Sequence, residues 1–136
     1  MNAQRRFLLA MVLSLAAGLA ASTPARSDGA SRQVAAWYQR YLDRYPDRAG
    51  LEDWADKLRR GRDPIDVEAG ILSSDEYWTR AGSNPGGWVD RLFRDTTGRP
   101  PSVRDFRLWA DRARFGDRKR VAEDFLRGLH GDRPWN

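Results

Sequence analysis

From about residue 30 onward, apolar side chains recur every three or four positions, the spacing of one helix face. Nowhere do they alternate as a half-buried strand would. Val34, Trp37, Tyr38, Tyr41 and Leu42 form the first stripe and predict a helix over about 31–44, with Ser31 as N-cap. Tyr45-Pro46-Asp47 breaks it, because the residue before a proline is steered away from helical geometry. Asp47 is the expected N-cap of a second helix carrying Leu51, Trp54, Ala55 and Leu58, closed by Gly61. Asp63-Pro64 places a capping acid before a proline at the first helical position and opens a third helix with Ile65, Val67, Ile71 and Leu72. Ser73 with Glu76 three residues on reads as a capping box for a short helix bearing Tyr77 and Trp78.

The run 82–87, Gly-Ser-Asn-Pro-Gly-Gly, is the expected linker. Beyond it Trp88, Val89, Leu92 and Phe93 make another stripe, broken at Gly98-Arg99-Pro100-Pro101. Ser102 is the expected cap of the next helix, whose apolar face is Phe106, Trp109, Ala110 and Ala113. Gly116-Asp117 starts the last, with Val121, Ala122, Phe125, Leu126 and Leu129. The reading is all-α: a compact bundle of about six or seven short helices.

The two sides of the linker match at an offset of 55 residues. Val34 meets Val89, Arg44 meets Arg99, Pro46 meets Pro101, Trp54-Ala55-Asp56 meets Trp109-Ala110-Asp111, and Gly61 meets Gly116. Tyr38 pairs conservatively with Phe93, Leu51 with Phe106 and Lys57 with Arg112. After Gly61 the register slips by one, pairing Val67 with Val121 and Leu72 with Leu126. Two repeated helical units follow, over about 34–81 and 88–130. A unit of about 50 residues buries little apolar surface alone, so the two are expected to share one core. Trp54 and Trp109 are its expected anchors, with Pro46, Pro101, Leu51, Phe106, Gly61 and Gly116 as repeat landmarks.

Residues 1–27 read as a signal peptide. Arg5 and Arg6 precede an apolar run from Phe7 to Ala21, and small residues follow as far as Ser27. The run, about 15 residues, is short beside the roughly 20 of a spanning helix, so no membrane insertion is expected after cleavage. Residues 28–136 are then a single helical domain, periplasmic or extracellular. Removing Arg5, Arg6 and Arg26 lowers the formal net charge from +5 to +2. Arg and Asp alternate through the rest (Asp43-Arg44, Asp90-Arg91, Arg104-Asp105, Asp111-Arg112), which predicts a mixed, ion-paired surface and no nucleic-acid partner.

Candidate chemistry is sparse. The chain has no Cys and one His, His130, close to its C-terminal end. Thiolate metal sites, cysteine nucleophiles and His-pair motifs are therefore excluded. A calcium loop counted from Asp43 fails, because Arg48 stands where Gly is needed and Trp54 where Glu is needed. No cofactor, metal or catalytic residue is expected. Four further tryptophans, Trp37, Trp78, Trp88 and Trp135, read mainly as packing. Trp78 and Trp88 flank the linker and are the candidates for a partly exposed binding surface.

The segment Tyr41-Leu42-Asp43-Arg44-Tyr45-Pro46-Asp47, continuing through Gly50-Leu51, Trp54 and Gly61 to Ser74-Asp75-Glu76-Tyr77, closely resembles the bacterial domain-of-unknown-function family numbered 4214. The second half is similar but departs from the pattern: Ser102 stands for Asp, and Asp105-Phe106 for Gly-Leu. Gly61 to Tyr77 is also similar, more weakly, to the helical linker domains of phycobilisomes. The first resemblance implies an envelope or extracellular module and supplies no reaction. The functional expectation is an exported, non-catalytic interaction module with a protein or cell-envelope partner. The alternative is a carbohydrate-binding or hydrolytic domain using exposed Trp and carboxylates.

Overall fold

A computed structural model describes residues 28–131. The predicted signal peptide and Trp135 lie outside these residues. Seven helices and no strand occur among them: α1 (Gly29–Leu42), α2 (Arg48–Arg59), α3 (Pro64–Leu72), α4 (Asp75–Arg80), α5 (Pro85–Thr97), α6 (Val103–Phe115) and α7 (Arg118–Leu129). None of the described helices is long and apolar enough to cross a membrane.

Most boundaries are set by capping side chains. Asp47 accepts from Gly50 N at 2.7 Å, Asp63 from Ile65 N at 2.9 Å, and Ser102 from Asp105 N at 3.1 Å. Each satisfies one of the backbone donors that a helix start leaves without a partner. Pro46 and Pro101 stand immediately before the caps of the two Trp helices, α2 and α6.

Three expectations need correction. Helix α1 begins two residues earlier than its stripe suggests and is capped by Asp28, whose Oδ1 accepts from Ser31 N at 2.8 Å. Ser31 is thus inside the first turn; a carboxylate answers both the free donors and the positive end of the helix dipole. Ser73 does not cap α4. Helix α3 runs to Leu72, so Ser73 becomes its C-cap and donates from Oγ to Gly70 O at 3.3 Å. Ser74 caps α4 instead, accepting from Tyr77 N at 3.2 Å. The linker is also shorter than its composition suggests. Asn84 caps α5 and Pro85-Gly86-Gly87 form its first turn. A Cβ on Gly87 would lie 2.1 Å from Ala81 O, so the tight passage from α4 to α5 requires glycine there.

Helix α1 packs on α2, α5 packs on α6, and α3 packs on α7, with α4 bridging toward α1 and α3. A continuous buried cluster runs through all of them, from Val34, Trp37 and Tyr41 through Val67, Ile71 and Leu72 to Trp88, Trp109, Phe125 and Leu126. Helix α3 sits in the middle and is apolar nearly all round, as a buried helix should be. Among the described residues, every buried core residue lies between Val34 and Leu126.

Candidate functional site

The motif residues of the first half account for much of its internal bonding. Arg44 grips Glu76 with two parallel bonds, Nε to Oε1 at 2.8 Å and Nη2 to Oε2 at 2.6 Å, the geometry that makes arginine–carboxylate pairs strong. That pairing holds the Glu76 carboxyl below its usual range. The Arg44 guanidinium lies over the Tyr38 ring at 5.1 Å. Tyr38 Oη accepts from Trp54 Nε1 at 3.1 Å, and a Cβ on Gly50 would lie 3.2 Å from Oδ1 of the capping Asp47. Tyr77 is buried and donates to Asp95 at 3.0 Å. Burial and the Asp95 charge push its phenol well above the ordinary tyrosine range. Gly61 turns the chain after α2 at φ +82°, a left-handed conformation that disfavours a side chain.

A polar network that the sequence pattern did not reveal ties α1 and α4 to α5. Arg91 reaches Asp95 at 3.2 Å, Tyr41 O at 3.1 Å and Arg80 O at 3.2 Å. Arg40 donates to Asp95 O and Thr96 O, two of the last carbonyls of α5, and so closes that helix's negative end. Arg91–Asp95 is an i,i+4 pair within α5, but the bonds from Arg91 to Tyr41 O and from Arg40 to Asp95 O and Thr96 O span 50 to 56 residues.

A groove of about 1050 Å³ opens between α1, α3, the end of α5 and the end of α7. Trp37, Tyr41, Leu58, Ile65 and Leu129 form its apolar wall, and Arg62, Asp63, Glu68, Arg99 and His130 its polar rim. Tyr41 donates a hydrogen bond to Glu68. Burial, and after it the Glu68 charge, push the Tyr41 phenol far above its usual range. Asp63 receives Arg127 at 2.6 Å as well as the Ile65 amide, and the arginine is the main reason its carboxyl is held low. A glycosidase acid needs the opposite shift.

The two tryptophans expected at a binding surface behave differently. Trp88 is fully buried and donates from Nε1 to Leu72 O at 2.8 Å, so its assignment to an exposed surface is overturned. The indole reaches from the first turn of α5 to the last residue of α3 and joins the core cluster. Trp78 is half-buried, and the Arg118 guanidinium, held by Asp75 at 2.8 Å, lies 4.6 Å from its ring centre.

The repeat anchors also diverge. Trp109 is 1 % exposed and meets Phe125 edge-on at 5.2 Å, whereas Trp54 is only half-buried. Leu51 and Phe106 are both half-buried against the core. Gly61 and Gly116 match in sequence but not in role. Gly116 has no left-handed φ; a Cβ there would lie 2.7 Å from Arg112 O. Among the described residues, no group of three or more His, Asp or Glu could hold a metal ion.

A family model described as Domain of unknown function (DUF4214) matches residues 16–81. The match supports the family resemblance for the segment containing α1 to α4. No curated protein and no solved structure matches the chain.

Proposed function

We propose that the chain is an exported, non-catalytic interaction module of the cell envelope or extracellular space. The observation that carries this reading is where the family-like residues point. Arg44, Asp47, Trp54, Ser74, Glu76 and Tyr77 all bond within the fold. A motif whose polar groups bond internally specifies a scaffold and presents no assembled nucleophile and base. The basic n-region and apolar run before residue 27 support export. The pairings of α1 with α2 and of α5 with α6, joined through α3 and α7, support two repeated units with a shared core. The weaker likeness of Gly61 to Tyr77 to phycobilisome linker domains supports the same non-catalytic reading.

The groove favours the alternative to one degree, since it places Trp37, Asp63 and Glu68 along one opening. Trp37, however, is 7 % exposed and offers no open ring face for a sugar to stack on. The test uses the full chain made in a bacterial host. Intact mass of the periplasmic and medium fractions should show a product cut between residues 20 and 27. That product should be retained by envelope fractions and release no reducing sugar from cell-wall polysaccharide. Sugar release abolished by Glu68→Gln would replace the module with a hydrolase.

A further inference from the structure

The mixed surface expected from Arg–Asp alternation is not uniform. Residues 99–120 hold eight basic side chains against three acidic ones, while the other described residues carry more acids than bases. Within α6, a helical turn of 3.6 residues places Val103, Arg104, Arg107, Asp111, Arg114 and Phe115 on one arc of about 120°. All six are exposed. Phe106, Trp109 and Ala113 lie on the opposite side, against the core. Arg104, Arg107 and Arg114 make no ion pair among the described residues, whereas most other arginines do. Asp105, next to Arg104, accepts from Ser102 Oγ with its carboxylate and donates its amide N–H to the same hydroxyl. The two most exposed large apolar side chains on this helix stand at its ends, Val103 at 71 % and Phe115 at 83 %.

We propose that this outward face of α6 docks peripherally on an anionic lipid bilayer. The charge selects the occupant: three arginines on the exposed arc, paired with no carboxylate among the described residues and outnumbering its one acid, Asp111, complement a layer of phosphate headgroups. The apolar ends distinguish a bilayer from other polyanions. Val103 and Phe115 are about 18 Å apart along the axis and stand at the two edges of the arc, so a helix lying flat would bring both to the interface on either side of the arginines, which meet the headgroups. On a nucleic acid the same phenylalanine would face phosphate. The proposal rests on the interaction-module reading and deepens it by naming envelope lipid as the partner.

The chain has no cysteine, so one introduced thiol gives a single labelling site. Full-length Val103→Cys carries an environment-sensitive fluorophore. Ala49→Cys, on the exposed side of α2, is the control, and helicity is checked in every variant. The vesicles are phosphatidylcholine alone, or about one part phosphatidylglycerol to two of phosphatidylcholine, to give a negative surface potential. The probe at 103 should brighten and shift to the blue on the anionic vesicles only, and the probe at 49 should not. Charge reversal at two sites, Arg104→Glu with Arg107→Glu, should weaken the response by at least about 25-fold, roughly fivefold for each arginine. Phe115→Ala should weaken it several-fold. A silent probe at 103 overturns the proposal, as does equal brightening at 49, equal response to neutral vesicles, or an equal response to a short DNA duplex. A silent probe in a chain still retained by an envelope protein sinks the lipid surface and leaves the module reading standing.

Discussion

Helices α2 and α6 keep a similar inner face and differ on the outside. Each carries a tryptophan with a cation three residues later lying over its ring, Lys57 at 4.0 Å from the Trp54 ring centre and Arg112 at 4.9 Å from that of Trp109. The exposed sides have gone separate ways. On α2, Arg48 pairs with Glu52, Arg60 with Asp56 and Arg59 with Asp28, so nearly every charge is answered. At the positions 55 residues on, Arg48 becomes Val103, Ala49 becomes Arg104, Glu52 becomes Arg107 and Arg60 becomes Phe115. Packing constrains the buried stripe to a few residue types, while the solvent side is free to change charge and hydrophobicity. The surface, and not the tryptophan motif, is therefore where the two regions can differ in what they bind.

The largest effects should come from the buried side. Trp109→Ala removes a fully buried indole and should cost about 3–5 kcal/mol in urea unfolding. Trp54→Ala, at a half-buried site, should cost clearly less. Equal costs would break the comparison, because they would make Trp54 as central to the core as Trp109 despite its exposure.

Gly70 sharpens the same contrast. Its would-be Cβ lies 2.6 Å from Trp54 Cη2 and 2.9 Å from Cζ3, so Gly70→Ala must displace the indole. Overpacking of this kind typically costs about 1–3 kcal/mol. In the slipped register the matching position is Asp124, which is exposed. Asp124→Ala should therefore leave the unfolding midpoint nearly unchanged. A neutral Gly70→Ala would show that Trp54 can move aside without loss.

Much of this fold was legible because helices announce themselves locally. The stripes at Trp37–Tyr41 and Val121–Leu126, the prolines before α2 and α6, and the caps at Asp47, Asp63 and Ser102 all act within a few residues of themselves. The errors came where two local signals competed. Ser73 and Ser74 both suit a cap, and only the length of α3 decides between them. Asn84-Pro85-Gly86-Gly87 suits both a linker and a helix start. The burial of Trp88 depends on how α5 docks against α3, which no window of sequence reports. The groove and the bonds from Arg40 and Arg91 between α1 and α5 join residues far apart in the chain and carry no periodic signature. The basic face of α6 did leave a signal, in the charge count over 99–120, but alternation of Arg with Asp masked it.

Acid should loosen the junction between the two regions before it touches α6. Lys119 holds Asp66 low, Arg127 holds Asp63 low, and Arg44 does the same for Glu76. Asp28 is pulled down to about 2 by Arg59 and the Ser31 amide. The folded state thus favours the ionised carboxylates. Their contribution is complete above the unfolded range near 4 and disappears as pH falls through the lower folded values. For Asp63, Asp66 and Glu76 together, solvent screening limits the loss to about 1 kcal/mol. Tm should be level from pH 7 to 5 and drop by a few degrees by pH 3. Hydrogen exchange should show α3 and α7 losing protection first, since Asp63–Arg127 and Asp66–Lys119 cross between them. Loss of α6 first would reverse the assignment.

The smallest change tests the polar half of the contrast. Tyr38 accepts the Trp54 indole hydrogen bond, and Phe93, 55 residues on, has no hydroxyl to offer Trp109. Tyr38→Phe makes the first half resemble the second at this one atom. A typical hydrogen bond contributes about 0.5–1.5 kcal/mol, and the low end applies because half-buried Trp54 can turn its N–H to water. Unfolding in urea should show a loss of about 0.5 kcal/mol with the slope unchanged. A loss above about 2 kcal/mol would mean that the hydroxyl cannot be replaced by solvent. Trp54 would then be locked by hydrogen bonding as firmly as Trp109 is by packing, and the distinction between a dry anchor and a wet one would fail.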